Sequence, residues 1–299
     1  MSNYECKQFT DWYAFKQDIY IYTWTLVAVM CLLVLPVVVI NAFILTAIVR
    51  TPTLHTPSNI LTCHFAAANL GLALIGTPSG VAWRLLELYH HDYDVVCTIT
   101  FFGYSICGLF NGGSVLTLVF ATLDRYLALI FHLRYPVIVT NGRTIFLCII
   151  SWLASLIAIL LLLVGGNTYY IVVSIIMVFL LVVIVYCYSK IFTITRRHHN
   201  QIANQAGNAM AVVNHYKRYR KSALNLFYVV CCQFAFLTPY LFSIITFAFH
   251  GVSVASLRFW SVSTCFLFLN SLVNPLIIYM SYGELRAAIK NTARSCWIK

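Results

Sequence analysis

The sequence predicts an all-α membrane protein, a seven-transmembrane helix bundle followed by a short amphipathic C-terminal helix. Of its 299 residues, 61% are hydrophobic and 9% are charged. A soluble domain of this size could not cover its surface with so few charges, so the lipid bilayer is the expected solvent. Seven apolar segments are predicted to form the helices, and an uneven distribution of basic residues predicts the orientation of the bundle across the membrane.

Each apolar segment is long enough to cross the hydrocarbon core as a helix, which takes about 20 residues. The predicted spans are approximately Trp24–Val49, Ser58–Trp83, Val96–Ile130, Thr144–Val164, Tyr169–Ile194, Leu224–Phe249 and Leu257–Ser281. The expected organisation is an extracellular N-terminus over 1–23, a transmembrane domain over 24–281, and a cytoplasmic interfacial helix and tail over 282–299.

The basic residues are concentrated on one side of the predicted membrane. If the connections alternate sides, fifteen of the nineteen Lys and Arg residues share the side of Arg125, with two acidic residues, Asp124 and Glu284. The other side holds Lys7, Lys16, Arg84 and Arg258 together with six acidic residues. The positive-inside rule then predicts a plasma-membrane protein with an outside N-terminus and a cytoplasmic C-terminus. This placement argues against nucleic acid as the partner of the basic charge.

The longest connection, roughly Thr195–Lys221, carries six basic residues and no acidic residue. Such a segment can be a solvated loop facing membrane lipids, or a contact surface for an anionic cytosolic partner, and both interpretations stay open. After the last span, residues 284–290 alternate apolar and basic side chains at helical spacing, as an interfacial helix does. Cys296, just past this helix, is a candidate for palmitoylation.

A carboxylate and a guanidinium, Asp124 and Arg125, stand side by side at the inner end of the third span. Charges at the edge of a hydrocarbon layer are unfavourable unless they pair or face water. With Tyr126 they form a short pattern that is weak alone, but six further apolar runs and basic loops surround it. The context favours the hinge of a membrane signalling protein.

In order and spacing, the motifs resemble those of rhodopsin-like (class A) G-protein-coupled receptors over essentially the whole chain. The matching residues are Asn41, Asp124-Arg125-Tyr126, Trp152, Tyr188, Pro239, Asn270, Asn274 and Pro275, with Tyr279 beside the seventh-span motif. The resemblance implies a two-state bundle in which an extracellular ligand favours an open cytosolic cavity. Arg125 would then leave Asp124 and contact a heterotrimeric G protein. Neither catalytic residues nor a cofactor are implied.

Several positions depart from the family pattern. Asn69 stands where an aspartate is usual, Leu237 replaces a tryptophan switch, and Ile278 takes the place of a tyrosine. The resulting polar core lacks a carboxylate and consists of Asn41, Asn69, Ser114, Asn270 and Asn274. We therefore expect weak or no sodium binding, because a buried cation needs a compensating negative charge. High basal activity and weak coupling are both compatible with these changes.

The disulfide pattern also departs from the family. The loop after the fourth span, about 165–168, has no cysteine to join the third span. A Cys6–Cys97 bridge and two free thiols are the remaining alternatives. The short loop, the missing cysteine and Leu180, which stands where a fifth-span proline is common, together resemble the melanocortin and lysolipid-cannabinoid branches.

A ligand pocket is implied by aligning the spans on Arg125. Its predicted lining is Tyr104, Cys107, Asn111, Tyr240, Ile244, Trp260, Thr264 and Phe268, although helix packing explains each residue equally well. Cys107 replaces the aspartate of amine receptors, and Phe268 the retinal lysine of opsins. The predicted pocket is aromatic and poor in charge, which favours an uncharged or lipid-like ligand over a small ion. Small-molecule, lipid and peptide ligands all stay possible.

A polytopic transporter or channel is the main alternative function. Such proteins carry charges within the membrane, broken helices or inverted repeats, whereas the predicted charge pair lies at the cytosolic edge. An intramembrane enzyme would need catalytic His, Asp or Glu residues in the spans, and His64 alone is insufficient. The sequence therefore favours a receptor, with no metal and no catalytic site expected.

Overall fold

The computed structural model describes residues 9–90, 92–205, 231–232 and 234–297, with the side chains of 132, 195, 198–205 and 295–297 excepted. The helices are α1 (Thr10–Ala14), α2 (Tyr20–Arg50), α3 (Pro57–Gly71), α4 (Thr77–Tyr89), α5 (Tyr93–Phe131), α6 (Tyr135–Ile138), α7 (Asn141–Val164), α8 (Gly166–Gln205), α9 (Phe234–His250), α10 (Val254–Ser281) and α11 (Gly283–Trp297). Because α3 and α4 are continuous through a π-helical turn at Leu72–Gly76, they form one membrane-crossing unit.

The predicted seven-helix architecture is confirmed. Six helical segments are long and apolar enough to cross a membrane, and α9 is a shorter apolar helix. The beginning predicted for the sixth span, at Leu224, lies outside the described residues. Most helices extend past the predicted apolar limits, because backbone hydrogen bonding continues into the polar and aromatic residues at their ends.

The fifth membrane helix is longer than the sequence predicted. The predicted loop begins at Thr195, but α8 continues to Gln205. No Gly or Pro stands between Gly166 and Gly207, so nothing in the sequence terminates the helix where its hydrophobicity ends. The rest of the predicted basic loop, 206–221, lies outside the described residues.

A single residue, Gly165, separates α7 from α8. Its φ of 150° and ψ of 142° belong to a region that side chains other than glycine rarely adopt. The chain reverses direction at this point, and α7 and α8 pack against each other as antiparallel neighbours. Such a tight reversal provides no loop to cover the adjacent end of the bundle.

The N-terminal segment takes that position. Phe9, Trp12 and Ile19 are buried in the main hydrophobic cluster of the bundle, and the exposed fraction of Trp12 is 0%. Residues 9–19, defined here as the N-terminal plug, therefore belong to the folded core. We call the end of the bundle that contains them the plug end, and the opposite end the Arg125 end.

The π-helical turn at Leu72–Gly76 determines which residues of α4 face inward. The Thr77 hydroxyl donates to the Leu72 carbonyl at 3.0 Å, where the regular helical hydrogen bonding is interrupted before Pro78. A π turn inserts one residue, which rotates the following side chains by about 100° around the helix axis. Arg84 and Glu87 point into the bundle, with 1% exposure each.

Helix α11 packs against α2 at the Arg125 end. Leu285 and Ile289 are buried in a cluster with Ile44, Ala47 and Ile48. The sequence places Cys296 just past this helix. The structure differs, because the helix runs to Trp297 and includes Cys296. Its polar sequence still forms hydrogen-bonded turns, because the apolar residues at 285 and 289 are one helical turn apart and anchor one face.

Candidate functional site

A cavity of about 330 Å³ opens at the Arg125 end, between α3, α5, α8 and α10. Its polar lining includes Ser58, Asp124, Arg125, Tyr188, Asn274 and Tyr282. Apolar side chains such as Phe65, Leu129 and Ile278 complete the wall. We call it the Arg125 cavity.

Asp124 is held by two neutral donors. Its Oδ2 accepts from the Ser58 hydroxyl at 2.5 Å, and its Oδ1 accepts from the Tyr135 hydroxyl at 2.6 Å. The expected pairing with Arg125 is absent among the described residues, because Ser58 and Tyr135 occupy both carboxylate oxygens and Arg125 extends toward the Tyr282 ring. Burial raises the pKa of Tyr135 to about 12, and its hydrogen bond to Asp124 adds to the shift. The phenol therefore stays protonated at neutral pH.

Arg125 is half-buried and extends into the cavity. Its Cζ lies 5.1 Å from the centroid of the Tyr282 ring, a cation–π distance. Tyr188 and Asn274 line the same cavity, but Tyr126 turns away and faces the Tyr186 ring at 6.1 Å. The structure thus places Arg125 where its donors can meet an incoming group.

Two further residues of the predicted switch lie outside this cavity. Tyr279 packs against the α2–α11 cluster, while Ile278 before it lines the cavity. Pro275 is buried inside α10. The one-residue offset of Tyr279 from the family pattern thus places it on another face of the helix, since consecutive residues are about 100° apart.

The five residues of the predicted polar core are all buried, with exposures between 0% and 3%. Asn41 Nδ2 donates to the backbone carbonyls of Val37 and Ser271, and Ser114 donates to the carbonyl of Asn111. Asn274 Nδ2 donates to Asn270 Oδ1 at 2.7 Å. The Asn69 amide has no hydrogen-bond partner within the described part of the chain. Hydrogen bonding to helix backbones or to each other is therefore the observed role of Asn41, Ser114, Asn270 and Asn274.

At the plug end, three indole rings surround a guanidinium. The centroid of the Trp12 ring lies 4.8 Å from that of Trp260 and 5.8 Å from that of Trp83. Arg84 Cζ lies 4.1 Å from the Trp83 centroid, 4.6 Å from Trp260 and 5.2 Å from Trp12. We call these four residues the tryptophan cage.

The predicted ligand pocket coincides with the floor of this cage. A cavity of about 50 Å³ is lined by Tyr104, Cys107, Asn111, Tyr240, Trp260, Thr264 and Phe268, all from the predicted set. Ile244 does not line it but is fully buried in the same hydrophobic cluster. The resemblance to rhodopsin-like receptors, aligned on Arg125, therefore located seven of the eight predicted residues at one cavity.

The predicted lining lacks one charged residue that the structure brings to this pocket. Arg84 lines the cavity, and its Nη1 donates to Glu87 Oε2 at 2.5 Å in a buried ion pair. Both residues were assigned to the outer connection because the π turn was not recognised. Their i,i+3 spacing was the available signal, since an acid and a base so placed can meet on a helix.

The cysteine alternatives are partly resolved. Cys97 is disulfide-bonded, but Cys6 lies outside the described residues, so the Cys6–Cys97 bridge stays a prediction. The eight other cysteines with described side chains are free, and the Cys107 thiol donates to the Gly76 carbonyl at 3.1 Å.

Comparison with known proteins agrees with the fold. Residues 40–170 match the family described as 7 transmembrane receptor (rhodopsin family). The chain is 30% identical to 5-hydroxytryptamine receptor 1D of Homo sapiens over 132 residues, which is 44% of this chain and 34% of that receptor. It is 28% identical to trace amine-associated receptor 7h of Rattus norvegicus over 280 residues, covering 84% of this chain and 76% of that receptor.

A third relative is olfactory receptor 4K15 of Homo sapiens, 28% identical over 126 residues, which cover 42% of this chain and 38% of that receptor. The chain spans about a third of the length of the 5-hydroxytryptamine receptors that it matches. These matches confirm the resemblance to rhodopsin-like receptors and a multi-pass membrane protein. The resemblance to the melanocortin and lysolipid-cannabinoid branches stays a prediction.

Proposed function

We propose that this chain is a G-protein-coupled receptor that transmits binding of an extracellular ligand to a cytosolic heterotrimeric G protein. In this proposal it lies in the plasma membrane with the plug end outside and the Arg125 end in the cytoplasm. The similar proteins are named as receptors. The observation that carries the proposal is the Arg125 cavity, in which a guanidinium that pairs with no acidic side chain of the described residues lines an opening of about 330 Å³.

The arrangement around Asp124 explains how Arg125 can be available. Ser58 and Tyr135 satisfy the carboxylate, so Arg125 is free to donate to backbone carbonyls of an inserted partner segment. In a competing state, Asp124 pairs with Arg125, and the guanidinium can then no longer donate to the partner segment. A ligand at the plug end can regulate the partner only by binding one of the two states more tightly.

Basic residues around the cavity support its assignment to the cytoplasm. Arg143 and Lys190 are exposed at this end, and Arg286, Lys290 and Arg294 lie on α11. Such residues favour anionic lipid headgroups of the inner leaflet and acidic surfaces of a cytosolic protein. Membrane lipids and a G protein are therefore the partners we propose at this end.

Capture of G proteins by Arg125→Ala receptors tests this function. Membranes expressing wild type or variant are mixed with a panel of purified Gα subunits and Gβγ, nucleotide is removed, and complexes are recovered through the receptor. We expect wild type to retain one Gα class and Arg125→Ala to retain none, because the cavity has lost its donor. An epitope tag at Met1, detected on unpermeabilised cells, measures surface expression and the proposed orientation together.

Arg143→Ala is the matched control. Arg143 is an exposed arginine at the same end whose Nη1 donates to the carbonyls of Val137 and Ile138 outside the cavity. Its variant should retain the Gα subunit. Equal capture by wild type and Arg125→Ala, or no capture by a well-expressed wild type, would contradict the proposal.

A further inference from the structure

The tryptophan cage combines aromatic surface with an unused hydrogen-bonding edge. We propose that this site binds a planar aromatic ligand bearing a carboxylate, which replaces the Trp12 ring and pairs with Arg84. The proposal deepens the function above and rests on it in one respect: the ligand is taken to arrive from outside the cell. It differs from the uncharged or lipid-like ligand that the sequence favoured, which stays a prediction.

Trp12 shows which shape the site accepts. Its fused ring is 0% exposed and lies edge-on to Trp260, with Phe247 at 5.6 Å and Tyr104 at 6.2 Å between ring centroids. Aromatic pairs at these separations are favourable in offset and edge-to-face arrangements. A free indole-sized ring can therefore use the same surfaces once the Trp12 side chain has left.

Arg84 supplies the polar contact. Its Nη1 bonds Glu87, but Nε and Nη2 are buried and have no hydrogen-bond partner among the described residues. A buried donor without an acceptor is unfavourable by about 1–3 kcal/mol. Nε and Nη2 form the side of a guanidinium that binds both oxygens of a carboxylate in parallel. The edge left open on Arg84 thus matches a carboxylate.

The charges near the cage favour an anion over a cation. The Arg84–Glu87 pair leaves two donors of the guanidinium, Nε and Nη2, without an acceptor among the described residues. The described residues that line the cavity include Arg84 and no acidic side chain. A ligand ammonium would also meet aromatic faces that already hold the Arg84 guanidinium. A carboxylate instead adds the missing negative charge.

Trp12 must leave before such a ligand enters. The remaining cavity of about 50 Å³ is far below the roughly 300 Å³ of a typical small-molecule site. The plug is held at its rim by hydrogen bonds to backbone carbonyls, from Tyr13 to His90 at 3.1 Å and from Arg258 to Asp18 at 3.0 Å. Hydrogen bonds at such partly exposed sites add modest net stability. Withdrawal breaks these bonds and exposes Phe9 and Trp12 from the hydrophobic cluster, while the hydrogen bonds within α2, which begins at Tyr20, stay in place.

Binding of matched probes to the purified full-length receptor in lipid nanodiscs tests the proposal without a G protein. The probes are tritiated indole-3-propionate and tryptamine, which share a ring and a two-carbon chain but end in opposite charges, and indole as the uncharged reference. We expect indole-3-propionate to bind more tightly than tryptamine. Trp12→Ala should tighten its binding roughly ten-fold or more, because the competing side chain is gone.

Two further variants separate the roles of ring and charge. Arg84→Gln combined with Glu87→Gln keeps the pair neutral and should weaken indole-3-propionate about 10- to 100-fold more than it weakens indole. Trp24→Ala removes an indole that is 39% exposed and lies outside the cage, and should change no affinity.

Three outcomes would each overturn the proposal: tighter binding of tryptamine, no gain of affinity on removing Trp12, or unchanged carboxylate binding in the double variant. If the double variant does not fold, the comparison with tryptamine and the effect of Trp12→Ala still test the proposal. Because no G protein is present, failure here leaves Gα capture through Arg125 unaffected, and the two proposals fail independently.

Discussion

Each end of the bundle carries an arginine and an acidic residue close together in sequence, but the two pairs differ in their hydrogen bonding. At the plug end Arg84 and Glu87 bond each other and are buried under three indole rings. At the Arg125 end Asp124 and Arg125 turn apart, and Asp124 bonds the neutral hydroxyls of Ser58 and Tyr135. Residues three apart lie on the same face of a helix, which favours the Arg84–Glu87 pair, whereas Ser58 and Tyr135 occupy both oxygens of Asp124.

This contrast separates a closely packed end of the bundle from an end whose polar groups can change partners. The plug end is filled, with about 50 Å³ left open at its cage. The Arg125 end keeps about 330 Å³ lined by groups that can exchange partners. Close-packed regions resist small changes, whereas polar groups beside a cavity can adopt a second arrangement at little expense of packing. We expect mutations to follow this division.

The largest effect on stability is expected from Glu87→Leu. The change leaves Arg84 as a buried charge without its partner, which is unfavourable by about 3–5 kcal/mol. Thermal unfolding of the purified receptor should show a markedly lower midpoint than wild type. The double variant Arg84→Met/Glu87→Leu should recover most of the loss, since replacing a buried pair by apolar groups is often neutral. A single variant as stable as wild type would show that the plug end does not depend on the pair.

A smaller loss is expected from Gly103→Ala, which tests how closely the helices approach at the plug end. The added Cβ would lie 2.9 Å from the Ser79 carbonyl oxygen and 3.0 Å from Trp83 Cβ. Because backbone cannot move aside easily, overpacking should destabilise the receptor by about 1–3 kcal/mol.

Gly142→Ala is its control at the Arg125 end. No atom lies within 4 Å of the added Cβ there, and alanine favours the helix by up to about 1 kcal/mol. The same unfolding measurement should show no loss for this variant. Equal destabilisation by Gly103→Ala and Gly142→Ala would show that the two ends do not differ in how closely their helices pack.

The smallest effect on stability is expected from Tyr135→Phe. One of two donors to Asp124 is lost, at about 1 kcal/mol or less for a partly exposed bond. Gα capture should nevertheless fall, because Asp124 then has an open acceptor with which to draw in Arg125. Unchanged capture would show that Tyr135 does not hold Asp124 away from Arg125.

The Tyr135 bond also predicts a pH dependence. Its pKa is raised to about 12, so the fold favours the protonated phenol. The stabilisation is complete below the ordinary tyrosine pKa near 10 and is lost as the pH rises through about 12. Wild-type capture should therefore not change through this group between about pH 6 and 9, and Tyr135→Phe should reduce capture equally across that range.

Much of the fold and part of the site follow from local sequence properties. Hydrophobic length located the spans, and the resemblance to rhodopsin-like receptors placed Tyr104, Cys107 and Trp260 in one pocket. The helix extension to Gln205 was missed because polar residues after the apolar run do not end a helix by themselves. The sequence does not predict that Arg84 points inward, because a π turn rotates every later side chain around the helix axis.

By itself, the sequence determined that this chain crosses a membrane as a seven-helix bundle and carries Arg125 at a helix end. These properties depend on runs of neighbouring residues, whose hydrophobicity is additive along the chain. Only the tertiary structure decided that Trp12 fills the pocket, that Arg84 lies under it, and that Ser58 and Tyr135 bond Asp124. Those contacts join residues far apart in sequence, and packing in three dimensions selects them.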